Sequence, residues 1–156
     1  MHTGQIHTQA RADDVTVTAL RISVGLIFAI HGALKLTDIA GTTQSFASLG
    51  IPYPQYATYL AIAGEFLGGI GLMVGLLTRI AALGTLSVMA TAIGFVHFGH
   101  GLMAKNGGWE YPLVLGLVSL FFVTHGPGRV SLDNWFSRKP RRDQYRYRDE
   151  RVPSYA

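Results

Sequence analysis

Four stretches of the chain are dominated by apolar residues: Val15–Leu36, Tyr56–Leu77, Ile80–Gly99 and Trp109–His125. Each is about 17–22 residues long, the length that a hydrocarbon core roughly 30 Å thick demands of a helix rising 1.5 Å per residue. A soluble bundle of buried helices would show a polar stripe on every helix. Phe66–Leu77 and Leu113–Val123 carry no charge on any side, as helices facing lipid do. The pattern predicts an all-α protein, an integral membrane four-helix bundle with spans at about 15–36, 56–77, 80–99 and 109–125. A polar N-terminal tail (1–14) precedes the four-helix domain (15–136), and a basic tail (137–156) follows it.

The links are unequal. Leu77-Thr78-Arg79 is a tight turn, whereas Thr37–Gln55 and His100–Gly108 read as longer loops, with Gly-Ile-Pro-Tyr-Pro and Asn-Gly-Gly turn chemistry. If the spans alternate, Arg11, Arg79, Arg129 and the cluster from Arg138 to Arg151 fall on one side, against Lys35 and Lys105 on the other. By the positive-inside rule both termini are then cytoplasmic. Tyr53, Tyr56, Tyr59, Trp109 and Tyr111 gather at the outer boundary and Trp135 and Phe136 at the inner one, where amphipathic rings prefer to sit. The first span contains Arg21, His31 and Lys35 and is expected to stay as a helix rather than act as a cleavable signal.

Of the 156 residues, about 80 lie in the spans, so no room is left for a separate soluble catalytic domain. With no cysteine, the chain by itself offers no thiol exchange, iron–sulfur ligation or covalent haem attachment. Its net charge of +4 equals that of the tail alone. Arg138, Lys139, Arg141 and Arg142 suit anionic lipid head groups besides fixing topology. Nucleic acid is not an expected partner, since a short basic tail offers no groove-reading element.

Glu65 stands near the middle of the second span. An unpaired charge at the bilayer centre costs at least roughly 2.5–3.5 kcal/mol, so it must be neutral, paired or facing an internal cavity. On the first span Arg21, Gly25, Phe28, Gly32 and Lys35 recur on one face, with His31 at its margin, so that face is expected to look inward. Gly64, Gly68, Gly71 and Gly75 form a small-residue stripe beside Glu65, suited to close helix packing or to a cleft for a flat ligand. Counting along both spans, Arg21 and His31 bracket Glu65, each about 7–8 Å away along the membrane normal. Two roles for Glu65 stand open: structural partner of Arg21, or proton handler and ligand contact with His31 as its neighbour. The candidate proton-handling residues are Glu65 and His31, and the candidate ligand contacts are Arg21, Lys35, Glu65, Gly64 and Gly68. A metal would need His31, His97, His100 and Glu110 to converge from two helices and a loop, so no metal site is expected.

Several motifs occur together in order. Arg21-Ile-Ser-Val-Gly25-Leu-Ile-Phe28 leads to His31-Gly32-Ala-Leu-Lys35. Then come Leu49-Gly50-Ile-Pro52, Glu65-Phe-Leu-Gly68-Gly69, Gly75-Leu-Leu-Thr-Arg79, Gly108-Trp-Glu110-Tyr111-Pro112 and Gly126-Pro-Gly128-Arg129-Val-Ser131-Leu132-Asp133. Over residues 15 to 136 the chain resembles the DoxX family of small bacterial and archaeal membrane proteins. The resemblance implies a multi-pass four-helix bundle in a prokaryotic plasma (inner) membrane, often associated with quinone-linked or other redox complexes. By the same resemblance Arg21, Lys35, Glu65, Arg79 and Asp133 occupy the family's recurring polar positions.

Two functional readings follow. One is a redox-associated subunit that holds no cofactor tightly, binds a quinone-like ligand or moves a proton near Glu65, and leaves electron transfer to a partner protein of its complex. The alternative is a non-catalytic membrane adaptor or scaffold whose glycine faces and basic tail dock proteins or lipids. The topology is testable at once, because a chain without cysteine accepts single-cysteine labelling cleanly. Reporter fusions are expected to place the N-terminus, Arg79 and Arg138 inside and Asp38 and Lys105 outside. Labelling by an impermeant reagent in intact cells at a cysteine beside Arg138 would reverse that orientation.

Overall fold

Backbone groups in hydrocarbon have no water to bond, so the apolar stretches must close their hydrogen bonds internally as helices. A computed structural model describes residues 2–137, and among them the chain is helical, with no strand. The basic tail carrying Arg138, Lys139, Arg141 and Arg142 lies outside the described residues. Helix α1 covers His2–Thr37, α2 Ile39–Ser48, α3 Pro54–Val74 and α4 Thr78–His100, α5 Glu110–His125 and α6 Leu132–Ser137. The Ala12–Thr37 part of α1, together with α3 and α4, is long and apolar enough to cross a membrane. The 16 residues of α5 reach only about 24 Å, short of a full hydrocarbon core.

The segment expected as a loop between the first two spans contains α2. Asp38 caps it, its carboxylate accepting from Gly41 N at 2.9 Å, as helix N-caps do. Ile39, Thr42, Thr43 and Phe46 are its half-buried side, a helical i, i+3, i+4, i+7 spacing too brief to stand out beside the spans. Thr43 and Thr58 join α2 to α3 through their hydroxyls at 3.1 Å.

Helices α1 and α3 touch backbone to backbone. A Cβ on Gly25 would stand 2.7 Å from Gly69 O, and one on Gly32 would run into the backbone of Phe66. Without a hydrophobic force between helices in lipid, such close packing is the main source of association. The chain then runs from α3 to α4 to α5, each packed on the one before, and α1 meets α5 only slightly. Val24, Phe28, Leu72, Ala82, Met89, Leu115 and Phe122 form the buried core. Within it Thr85 Oγ1 donates to Ser119 Oγ at 2.9 Å.

The turn between α3 and α4 is built from left-handed residues, Gly75 at φ 70° and Leu77 at φ 47°. Glycine adopts this region freely, but leucine does so only when its surroundings hold it there. Two groups do so. Arg21, 2 % exposed, donates to Leu72 O at 2.6 Å, Met73 O at 3.1 Å and Val130 O at 2.7 Å. Asp133 accepts from Leu77 N at 2.7 Å and Thr78 N at 2.9 Å. Burial alone would raise the Asp133 pKa, but the amides of Thr78 and Leu77 and the Arg21 charge outweigh it and hold the carboxyl below its ordinary value.

Replacing Asp133 with Asn leaves one of these amides poorly served and removes the charge. The protein should lose about 1–3 kcal/mol of stability, read as a lower melting temperature in detergent. Because the folded pKa is depressed, the carboxylate's contribution is present above its ordinary value of 3.8 and disappears as pH falls through the lower folded value. The Asn variant should therefore melt lower than the parent at pH 7, with the gap closing in acid. Packing is tested at Gly32, where Gly32→Leu should lower stability far more than Leu at Gly94, whose Cβ position is open.

Candidate functional site

Glycine contacts between α1 and α3 decide which ionisable groups meet. Gly32 stands against Phe66, Gly69 against Ala29 and Gly25 against Met73, so Glu65 lies level with residue 33 of α1. Aligning the two spans at their predicted ends puts it level with residue 27 instead, an error of about 9 Å. The error arises because α3 runs past the end of α1, into the space where α2 packs. Glu65 therefore pairs with Lys35, with Nζ 2.5 Å from Oε2, and Arg21 does not reach it. All the hydrogen bonds of Arg21 go to backbone carbonyls at the hairpin end.

The pair is asymmetric in its burial. Side-chain exposure is 25 % for Lys35 and 5 % for Glu65. Oε2 accepts a hydrogen bond from Lys35 Nζ, while Oε1 has no hydrogen-bond partner among the described residues. The Lys35 ammonium likewise uses one of its three donors here. Glu65 sits inside a π-helical turn, Ala63–Leu67, and a second such turn, Ala92–His97, occurs in α4. Such turns widen the helix by one residue, are rare, and cluster at functional sites.

Both turns border one cleft of about 1450 Å³. At one end lie Asp38 and Phe46 by α2, in the middle Lys35 and Glu65, and at the other end Leu76 and Ile80 by the hairpin. His31, Gly64 and Gly68 also line it. Most of the remaining surface is apolar. Gly64 and Gly68 face α4 closely, since a Cβ on Gly64 would meet Val88 Cγ2 at 2.8 Å and one on Gly68 would meet Ala81 O at 3.2 Å. They serve packing and lining together. Asp38 was not among the sequence candidates. Its cap position before Ile39 was the available signal.

His97 and His100 serve the loop. His97 Nδ1 donates to Gly107 O at 2.6 Å, His100 Nδ1 to Val96 O at 3.1 Å, and Glu110 accepts from Ala104 N at 2.5 Å. Among the described residues no three His, Asp or Glu side chains are grouped to hold a metal ion. Chemically, the site offers a carboxylate oxygen open to accept a hydrogen bond or a proton, a cation with donors to spare, and a large apolar enclosure beside them.

Residues 16–98 match the DoxX family model. The chain is 33 % identical over 132 residues to the inner membrane protein YphA of Escherichia coli, covering 78 % of this chain and 91 % of YphA. It is 32 % identical over 135 residues to the inner membrane protein YqjF of the same organism, covering 83 % and 98 %. It is 31 % identical over 120 residues to a Bacillus subtilis protein named "Putative oxidoreductase CatD", covering 77 % and 86 %. No solved structure matches it. With the family model covering more than half of an all-helical, membrane-spanning chain, this protein belongs to the DoxX family.

Proposed function

We propose that the protein is a redox-associated subunit of a prokaryotic plasma membrane that binds a quinone-like ligand at the Lys35–Glu65 pair. The observation that carries this reading is the half-used, buried carboxylate. Glu65 is 4 % exposed, lines a large apolar cleft, and is bonded through only one of its oxygens. That second oxygen is accessible rather than sealed in, since the buried side-chain atoms without a partner among the described residues are Arg21 Nε and Thr78 Oγ1.

The donor set suits a ring that carries oxygens at both edges. Lys35 Nζ can donate to a carbonyl, Glu65 Oε1 can accept from a hydroxyl, and the glycine and alanine walls admit a flat body. A bound quinone supplies two-electron, two-proton chemistry. The chain's own share is to hold the ring, exclude bulk water, and take or return a proton at Glu65 Oε1, with His31 along the same cleft. Electrons must come from a partner protein; a redox role for the complex is supported by the name "Putative oxidoreductase CatD" that the B. subtilis relative bears.

The test separates ligand binding from packing. Removing either Lys35 or Glu65 alone should cost about 1–3 kcal/mol, and replacing both with Met and Leu should recover most of it. Neither the double variant nor Glu65→Gln should retain quinone in solvent extracts of the purified protein, although Glu65→Gln should fold, as judged by its melting curve. A folded Glu65→Gln protein that retains quinone at the parent's level would reject this reading and leave the non-catalytic adaptor.

A further inference from the structure

The hairpin end of the bundle holds a second pocket, of about 640 Å³. It lies between the start of α4 and the link from α5 to α6, and Arg79, His125, Arg129, Asp133, Asn134 and Ser137 line it. The link is shaped to receive Arg79. Gly126 has φ 83°, and a Cβ there would meet Arg79 Nε at 3.4 Å, so the guanidinium lies along the Gly126-Pro-Gly128 turn that presents Arg129.

The charges of this pocket do not balance. Asp133, the acid of the lining, spends its two oxygens on Leu77 N and Thr78 N. Asn134 Nδ2 donates to Arg129 O at 2.7 Å and Ser137 Oγ to Asp133 O at 2.7 Å, so these neutral groups are also in use. The guanidiniums are not. Ion pairs among the described residues are Lys35–Glu65 and Asp14–Arg129, which leaves Arg79 without an acidic partner there. Arg129 meets Asp14 through Nε, at 3.5 Å, and its side chain is 72 % exposed. Planar guanidiniums with open N–H groups match the oxygens of a phosphate.

The rim indicates where such an anion comes from. Leu77 and Ile80 line the pocket and are exposed, as are Trp135 and Phe136 on α6. Apolar and aromatic side chains beside arginines at the end of a span belong at the level of lipid head groups. A soluble phosphate would gain nothing from them. The tail from residue 137 to 156 is a poor occupant, since its seven basic and three acidic residues give it the pocket's own sign.

We infer that this pocket binds the phosphate of an anionic phospholipid, with Arg79 and Arg129 donating to its oxygens and an acyl chain lying against Leu77 and Ile80. Zwitterionic lipids are disfavoured, because Asp133 is committed to the backbone and does not serve a choline or ethanolamine group. The site acts independently of the Lys35–Glu65 pair.

The experiment uses the full chain carrying Trp109→Phe, whose remaining tryptophan is Trp135, between the pocket residues Asn134 and Ser137 on α6. It is placed in vesicles of phosphatidylcholine with rising fractions of phosphatidylglycerol, one or the other lipid brominated in its acyl chains, and quenching of Trp135 gives their relative affinity. Phosphatidylglycerol should be preferred at least about five-fold. Arg79→Gln and Arg129→Gln should each lower that preference about five-fold, the share of one basic group near the surface. Both positions are exposed, so the melting curves should not move; should one variant fail to fold, the other decides. Replacing Arg138, Lys139, Arg141 and Arg142 together with Gln should leave the preference within about two-fold of the parent. Equal quenching by the two lipids, or a preference lost with the tail charges and kept in the arginine variants, would overturn the site. Millimolar inorganic phosphate should leave the preference intact; its abolition would overturn the lipid in favour of a soluble anion.

Discussion

The close contact between α1 and α3 is the constraint on which the site depends. Gly25, Gly32 and Gly69 let two backbones approach until a single added carbon would collide. Van der Waals packing replaces the hydrophobic effect as the force between helices in lipid, and it is sensitive to fractions of an ångström. Their register leaves little freedom. Once it is set, Lys35 is delivered to Glu65 and Arg21 is withheld from it. A slip of one helical turn, about 5.4 Å, would separate the pair and leave a buried carboxylate alone.

At the hairpin the same economy appears in electrostatic form. The carbonyls ending α3 carry the negative end of its dipole and receive Arg21; the amides opening α4 carry the positive end of its dipole and receive Asp133. Each charge therefore offsets a helix terminus, besides the attraction between Arg21 and Asp133 themselves. Arg21 in the first span and Asp133 beyond the last one are in this way accounted for by an interhelical turn whose Leu77 needs support. Glu65 is different in kind. It contacts no helix end, and it keeps an oxygen free beside a cleft of about 1450 Å³.

That contrast explains why the site falls where the packing is poorest. Tight glycine contacts run from the hairpin to the level of Gly32, and beyond it the helices diverge. The π turns at Ala63–Leu67 and Ala92–His97 mark the change on both walls, and α2 fills part of the space between them. A cleft opens where close packing stops, with its ion pair at the border.

Much of this could be read from residues alone. Apolar runs of membrane length dictate helices because nothing else satisfies the backbone in hydrocarbon, and the spacing of Arg21, Gly25, Phe28, Gly32 and Lys35 marks a single inward face. Arg21, Phe28 and Glu65 are buried accordingly. The short α2 was not evident, since a ten-residue helix between two spans carries a weak periodic signal and its Asp38 cap resembles any loop aspartate. The pairing of charges belongs to tertiary structure. Sequence periodicity states which side of a helix a residue occupies but not its height relative to a neighbouring helix. That height is decided by where one glycine meets another backbone, and only the folded protein shows that α3 outruns α1 and places Glu65 beside Lys35.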